Sequence, residues 1–174
     1  MKRLLWTLTL ALLLPSGVAG QAAENPLRIW AAAGLGGGGG LGSSQMAGKT
    51  EGMIAIGELV GQKAPHQVMV RGLLMVDPMS DGASYGAGEL GVLYGRTITT
   101  TFAHVGVAAG LALTGFDSCV DPYDSCQFPG VPLVAEAALT PFAILGVGLQ
   151  VFANLNRHTS YAGVAVMVQL GWLP

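Results

Sequence analysis

Apolar side chains alternate with small or polar ones in eight stretches of the chain, which indicates strands. The stretch 101–113 is the clearest. Its faces are Val105, Val107, Ala109, Leu111 and Leu113 on one side and His104, Gly106, Ala108, Gly110 and Ala112 on the other. A repeat of two residues is that of a strand whose faces meet different surroundings. The eight stretches are 27–37, 51–60, 67–76, 84–94, 101–113, 131–139, 143–155 and 161–173.

The regular stretches place branched aliphatic residues on one face and their few charges on the other. In 67–76, for example, Val68 and Val70 lie opposite Arg71, whereas 51–60 is the least regular stretch. A transmembrane strand needs about 9–11 residues to cross the hydrocarbon, and these stretches have that length. The pattern therefore predicts transmembrane strands with the apolar face turned to lipid.

The connections between the stretches alternate between longer and shorter ones. The longer or more polar connections are 38–50, 77–82, 114–130 and 156–160, and the shorter ones are 61–66, 95–99 and 140–142. Transmembrane barrels have longer loops at the outer end and short turns at the periplasmic end. This alternation is expected of an even number of antiparallel strands with both chain ends on the periplasmic side.

The first 20 residues have the pattern of a secretory signal peptide. Lys2 and Arg3 precede an apolar run, residues 4–14, and small residues at 18–20 offer a cleavage site after Gly20. Such a run is too short to be a membrane anchor. We expect residues 1–20 to be a signal peptide and residues 21–174 to be one barrel domain. No Cys follows the cleavage region directly, which disfavours a lipid-anchored N-terminus.

The composition agrees with a membrane protein and excludes a nucleic-acid-binding one. Charged residues make up 10% of the chain, hydrophobic residues 51%, and glycine occurs 27 times. A soluble domain has about 25% charged residues. Residues 21–174 carry six cationic and ten acidic side chains, a net charge of −4. A basic footprint for nucleic acid is therefore absent.

Two other folds agree less well with the sequence than the barrel does. Residues 131–155 are long enough for a membrane-spanning helix, but Glu136, Pro141, Gln150 and Asn154 interrupt them and no 3.6-residue stripe occurs. A soluble lipocalin-like barrel shares the strand pattern but needs polar residues on its outer face. The sequence favours an all-β, eight-stranded antiparallel transmembrane β-barrel.

The chain resembles the small eight-stranded outer-membrane β-barrel families of Gram-negative bacteria. The signal peptide, the eight stretches, the alternation of the connections and the last strand carry this resemblance. Residues 163–172 are similar to the C-terminal signal of such barrels, although Leu173 and Pro174 follow the aromatic Trp172. The resemblance implies a monomer in the cell outer membrane that contacts membrane lipid and lipopolysaccharide. It also implies recognition by the barrel-assembly machinery.

Polar residues on the predicted inward face are the candidate functional site. They are Arg28, Arg71, Glu89, His104, Glu136, Gln150 and Gln169. Buried charges must be paired, so a structural ion-pair plug is the first interpretation, with Glu89 and Arg71 as expected partners on adjacent strands. The second interpretation is a proton or ion path that uses Glu89 and His104.

Other candidate chemistry lies in the connections. Cys119 and Cys126 are expected to form a disulfide in an exported protein. The acidic residues around them match no calcium-loop spacing. His158 and Ser160 resemble the His-x-Ser pair of barrel lipid A deacylases, but no acidic residue follows Glu136 to complete a triad.

We therefore expect neither an enzyme nor a metal or cofactor protein. The sequence favours a structural or surface-interaction role, with a narrow pore or small-ligand carrier as the alternative.

Overall fold

The computed structural model describes residues 26–41, 52–76, 87–116, 127–157 and 160–174, and these residues form an eight-stranded barrel. The strands are β1 (Arg28–Leu41), β2 (Gly52–Lys63), β3 (His66–Val76), β4 (Ala87–Thr99), β5 (Ala103–Phe116), β6 (Gln127–Phe142), β7 (Leu145–Asn156) and β8 (Ser160–Gly171). The all-β fold predicted from the sequence is confirmed.

All neighbouring strands are antiparallel, and β8 pairs with β1 to close the barrel. A row of paired residues followed once around the barrel begins at Ile29 and returns to β1 at Gly39, ten residues further along. Such a stagger accompanies the tilt that closed barrels require. Residues distant in sequence therefore reach the same height inside the barrel.

The two ends of the barrel differ in their connections. At one end, here called the turn end, consecutive strands are joined by Ala64–Pro65, residues 100–102 and Ala143–Ile144. At the other, the loop end, the connecting segments 42–51, 77–86, 117–126 and 157–159 are largely outside the described residues. Three of the four connections at the loop end are therefore longer than the turns, as predicted, whereas 157–159 has only three residues.

Several predicted boundaries were wrong because the strands are longer than the alternation suggested. Residues 61–63, 95–99 and 140–142, predicted as turns, belong to β2, β4 and β6. Their glycines and threonines indicate turns locally, yet the ladders continue and Gln62, Thr97 and Thr140 point into the barrel. At the loop end, residues 38–41, 114–116 and 127–130 also extend the strands.

The helical alternative for residues 131–155 is not adopted, because this stretch forms most of β6 and β7. Within the described parts of the chain, no helix has the length and apolar character needed to cross a membrane.

The alternation separates an apolar outer surface from a filled interior. Val107 is 39% exposed, whereas the next residue, Ala108, is 6% exposed. Exposed large apolar residues occur on every strand, among them Leu59, Leu74, Leu90, Leu111, Leu139, Leu149 and Leu170. A soluble lipocalin-like barrel would present polar residues there, so this surface favours lipid contact.

The interior contains large apolar side chains at several heights. Trp30, Met69, Leu73, Leu93 and Phe152 are each at most 2% exposed. Eight strands leave an interior that side chains can fill. The described interior is therefore a packed core with polar groups distributed through it.

The last residues fold back against the turn end. Trp172 is 70% exposed on the outer surface, whereas Leu173 is 6% exposed and belongs to the interior cluster. Gly171 has a φ of 141°, and a Cβ there would lie 2.6 Å from the carbonyl oxygen of Ile29. Glycine therefore permits the bend that turns Leu173 inward.

Candidate functional site in the barrel interior

The polar residues of the interior form three groups along the barrel. The buried polar side chains are Glu58, Gln62, Gln67, Arg71, Glu89, Thr97, His104, Thr114, Glu136, Thr140, Gln150, Asn154 and Gln169. They alternate with outward apolar residues on their strands, which is why each points inward.

The group nearest the loop end surrounds Glu89. Arg71 donates to Glu89 Oε1 from Nε at 3.0 Å and from Nη2 at 2.5 Å, and both side chains are fully buried. The cross-strand partner of Glu89 is Leu73, two residues from Arg71, so the ion pair is diagonal between β3 and β4. The structure thus joins the two residues that the sequence paired.

Further donors complete the surroundings of Glu89. Asn154 Nδ2 donates to Glu89 Oε2 at 2.6 Å, and the Tyr161 hydroxyl donates to the same oxygen. Asn154 Nδ2 also lies 3.2 Å from Thr114 Oγ1. The Arg71 guanidinium carbon is 5.4 Å from the centroid of the Phe152 ring. A buried carboxylate with this many donors is well compensated.

The middle group contains two carboxyl groups without a comparable cation. Glu58 accepts a hydrogen bond from Gln150 Nε2 at 2.9 Å. Glu58 is also the cross-strand partner of Arg71, although Arg71 is bonded to Glu89. Gln150 is in turn the cross-strand partner of Glu136, so it lies next to both carboxyl-bearing residues.

The group at the turn end is held by amide, hydroxyl and imidazole side chains. Gln62 Nε2 donates to Thr97 Oγ1 at 2.5 Å. Gln169 Nε2 is 3.4 Å from His104 Nε2, and the same ring nitrogen is 3.9 Å from Glu136 Oε1.

Several buried polar atoms of the described residues lack a hydrogen-bond partner, and most lie toward the turn end. They are Trp30 Nε1, Gln62 Oε1, both amide atoms of Gln67, Arg71 Nη1, His104 Nδ1, Glu136 Oε1, Gln150 Oε1, Asn154 Oδ1 and Gln169 Oε1. A Cβ at Gly106 would lie 2.9 Å from Glu136 Oε1 and 3.2 Å from Gln67 Nε2. Glycine at 106 therefore leaves space for these two side chains.

The described interior has an excess of acidic groups. Glu58, Glu89 and Glu136 are buried, whereas Arg71 is the buried guanidinium. Arg28, also predicted to lie among them, is half-buried at the turn end and donates to the carbonyl oxygen of Leu173 at 3.1 Å. The predicted ion-pair plug is therefore reduced, among the described residues, to the single pair of Arg71 and Glu89.

Of the other predicted lumen residues, Arg71, Glu89, His104, Glu136, Gln150 and Gln169 are all buried in the interior. Glu58 was not predicted as a lumen residue because the alternation in β2 is the least regular. One face of β2 carries Ile54, Ile56, Glu58, Val60 and Gln62. Following the alternation through to Lys63 identifies Glu58 as an inward residue. Gln67, Asn154 and Tyr161 were also not selected, although each lies on an inward face.

The candidates in the connections are only partly described. Cys119, Cys126, the acidic residues between them and His158 lie outside the described residues. The Ser160 hydroxyl is 3.2 Å from both the backbone nitrogen and the carbonyl oxygen of Asn156. Within the described ranges, no group of three or more His, Cys, Asp or Glu residues could hold a metal ion.

A closed antiparallel barrel of eight strands, apolar outside and polar within, is the architecture of the small outer-membrane β-barrels. Comparison with solved structures supports this class. Neisserial surface protein A (NspA) matches with a TM-score of 0.59 and 9% identity, over 83% of this chain and 96% of that one.

Two further solved structures have the same fold. Ail, the attachment invasion locus protein of Yersinia pestis, matches with a TM-score of 0.54 and 8% identity, over 83% of this chain and 96% of that one. The N-terminal β-barrel domain of Pseudomonas aeruginosa OprF matches with a TM-score of 0.53 and 10% identity, over 82% of this chain and 97% of that one. No protein-family model and no curated protein matches the sequence. These likenesses show a shared fold.

Proposed function

We propose that this protein is an integral outer-membrane barrel with a structural or surface-interaction role. The observation that carries the proposal is the apolar outer surface of a closed barrel whose interior is packed with side chains such as Trp30, Met69, Leu93 and Phe152. An apolar surface of this kind suits lipid, and a packed interior suits an anchor better than a channel.

The loop end is the part we expect to meet external partners. Segments 42–51, 77–86 and 117–126 are ten residues each, whereas the turns at the opposite end have two or three. Loops positioned by a rigid scaffold commonly carry binding residues. Lipopolysaccharide is the partner expected next to these loops, with the termini on the periplasmic side.

Fractionation of cells tests the location. The protein should be found with the outer membrane, resist carbonate extraction and migrate faster on a gel when unheated than when boiled, because a closed barrel stays compact in detergent. A predominantly soluble periplasmic pool would contradict the proposal.

A narrow proton or ion path is the second candidate. The excess of buried carboxyl groups and the polar atoms around Gly106 favour it in the half of the barrel toward the turn end. Measurements of ion conductance across a planar bilayer distinguish it from the structural role. We propose no enzymatic function, because the hydroxyl of Ser160 contacts the backbone of Asn156 and no carboxylate follows it in the sequence.

A further inference from the structure

Three basic residues lie side by side on the outer surface near the turn end. Lys63 on β2 is the cross-strand partner of His66 on β3, and His66 is the cross-strand partner of Arg96 on β4. Lys63 and His66 are exposed and Arg96 is half-buried, and their chain neighbours Gln62, Gln67 and Thr97 point inward. We call these three residues the basic row.

No acidic side chain balances the basic row within the described parts of the chain. Glu58, Glu89 and Glu136 all point into the barrel. The side chains of Lys63 and Arg96 have no hydrogen-bond or ion-pair partner among the described residues. Lys63 and Arg96 lie on β2 and β4 with His66 on β3 between them, so an anion held beside His66 would meet two cations that no acidic side chain of the described residues balances.

The spacing of the row allows all three side chains to reach one anion. Adjacent strands are about 4.8 Å apart, so Lys63 and Arg96 are separated by roughly 10 Å with His66 between them. Long, flexible Lys and Arg side chains can converge over that distance. A phosphate group presents oxygens on several sides and can accept from all three residues.

The hydroxyl of Tyr94 orients the middle member of the row. It lies 2.5 Å from His66 Nδ1, and the two rings are stacked with centroids 5.9 Å apart and planes 25° apart. When the hydroxyl donates to Nδ1, the proton of a neutral imidazole is on Nε2. His66 then presents an N–H donor away from Tyr94 even without a positive charge.

An open position lies next to the row on the side of the apolar belt. Gly61, Val68 and Tyr94 form a neighbouring outward row, and Val68 and Tyr94 are 50% and 56% exposed. A Cβ placed on Gly61 would meet no atom within 4 Å. A ligand held by the basic row therefore has an apolar, unobstructed surface for a hydrocarbon portion.

We propose that the basic row binds the phosphate of an anionic phospholipid, with the start of an acyl chain against Gly61 and Val68. The basic side chains would bind the anionic headgroup, and the adjoining apolar surface favours a lipid over a soluble phosphate. This inference rests on the proposed membrane location, which puts the turn end in the periplasmic leaflet.

Native mass spectrometry of the full barrel, released from detergent containing equal amounts of phosphatidylglycerol and phosphatidylcholine, tests the proposal. Each basic residue near a membrane surface favours anionic lipid by roughly fivefold, so we expect on the order of a 20-fold preference for phosphatidylglycerol. The double variant Lys63→Gln with Arg96→Gln should lose most of that preference.

The matched control is the double variant Lys49→Gln with Arg157→Gln, which removes the same charge from the connections at the loop end. It should keep the preference of the unmodified protein. An equal loss in both double variants, or no preference in the unmodified protein, would overturn the proposal. Competition by millimolar inorganic phosphate would also overturn it, since the site would then be one for soluble phosphate. Failure of the barrel to insert into bilayers would instead contradict the proposed membrane location.

Discussion

Glu89 and Glu58 are buried carboxyl groups with different surroundings, although Arg71 is near both. Glu89 is bonded to Arg71, Asn154 and Tyr161, whereas Glu58 is bonded to the amide of Gln150. Removing one member of a buried ion pair leaves an uncompensated buried charge, which strongly lowers the stability of the fold. The effect of neutralising a carboxyl group should therefore depend on its partner.

Glu89→Gln should destabilise the barrel by about 3–5 kcal/mol, because the Arg71 guanidinium loses its carboxylate. Glu58→Gln, the matched control, should cost at most about 1 kcal/mol, because a glutamine oxygen can still accept from Gln150. A thermal melt in detergent measures both. Combining Glu89→Gln with Arg71→Met should recover part of the loss. Strictly additive effects would show that the two residues are not coupled and would favour a hydrated path over a plug.

At the scale of a strand, each face has one environment, and a shift of one residue exchanges the faces. β5 is the clearest case: Val107 lies on the outer surface and Ala108 inside. Sequence reasoning predicted these faces correctly but ended several strands too early. The alternation depends only on strand geometry, whereas a strand ends where its neighbours cease to pair with it.

Leu111→Arg should block assembly or strongly destabilise the barrel, whereas Ala112→Ser should be tolerated, because Leu111 is 75% exposed on the outer surface and Ala112 is 6% exposed inside. An arginine on the lipid-facing side costs about 2–4 kcal/mol near the middle of the bilayer. A serine hydroxyl in the interior can find a polar partner among its neighbours. The heat-modifiable gel shift after folding into vesicles reports both variants. Equal effects would mean that the two faces of β5 are assigned the wrong way round.

At the scale of the molecule, barrel closure determines whether the interior can conduct. Trp30, Met69, Leu93 and Phe152 come from four different strands and are each at most 2% exposed. Because these large side chains enter from several sides, they fill space between the three groups of polar residues. This packed interior supports a structural role more directly than a proton or ion path.

The purified barrel should therefore show no stable ion conductance across a planar bilayer. The heat-modifiable gel shift should confirm independently that the barrel has inserted, so that a lack of conductance is not mistaken for failed insertion. Reproducible, cation-selective conductance steps would contradict this expectation and favour a proton or ion path over the structural role. If such steps occur, Glu136→Gln should reduce them and Glu89→Gln should have the smaller effect, because Glu89 is already bonded to Arg71.

The sequence by itself determined the strand number, the faces and the inward position of residues such as Arg71 and Glu136. These follow from a two-residue repeat that needs no knowledge of neighbouring strands. The tertiary structure alone decided which inward residues meet. Closure with a ten-residue stagger brings Gln150 to Glu58 and leaves Arg28 at the turn end, away from the acidic groups. Such contacts depend on the register of all eight strands together, which no single stretch of sequence encodes.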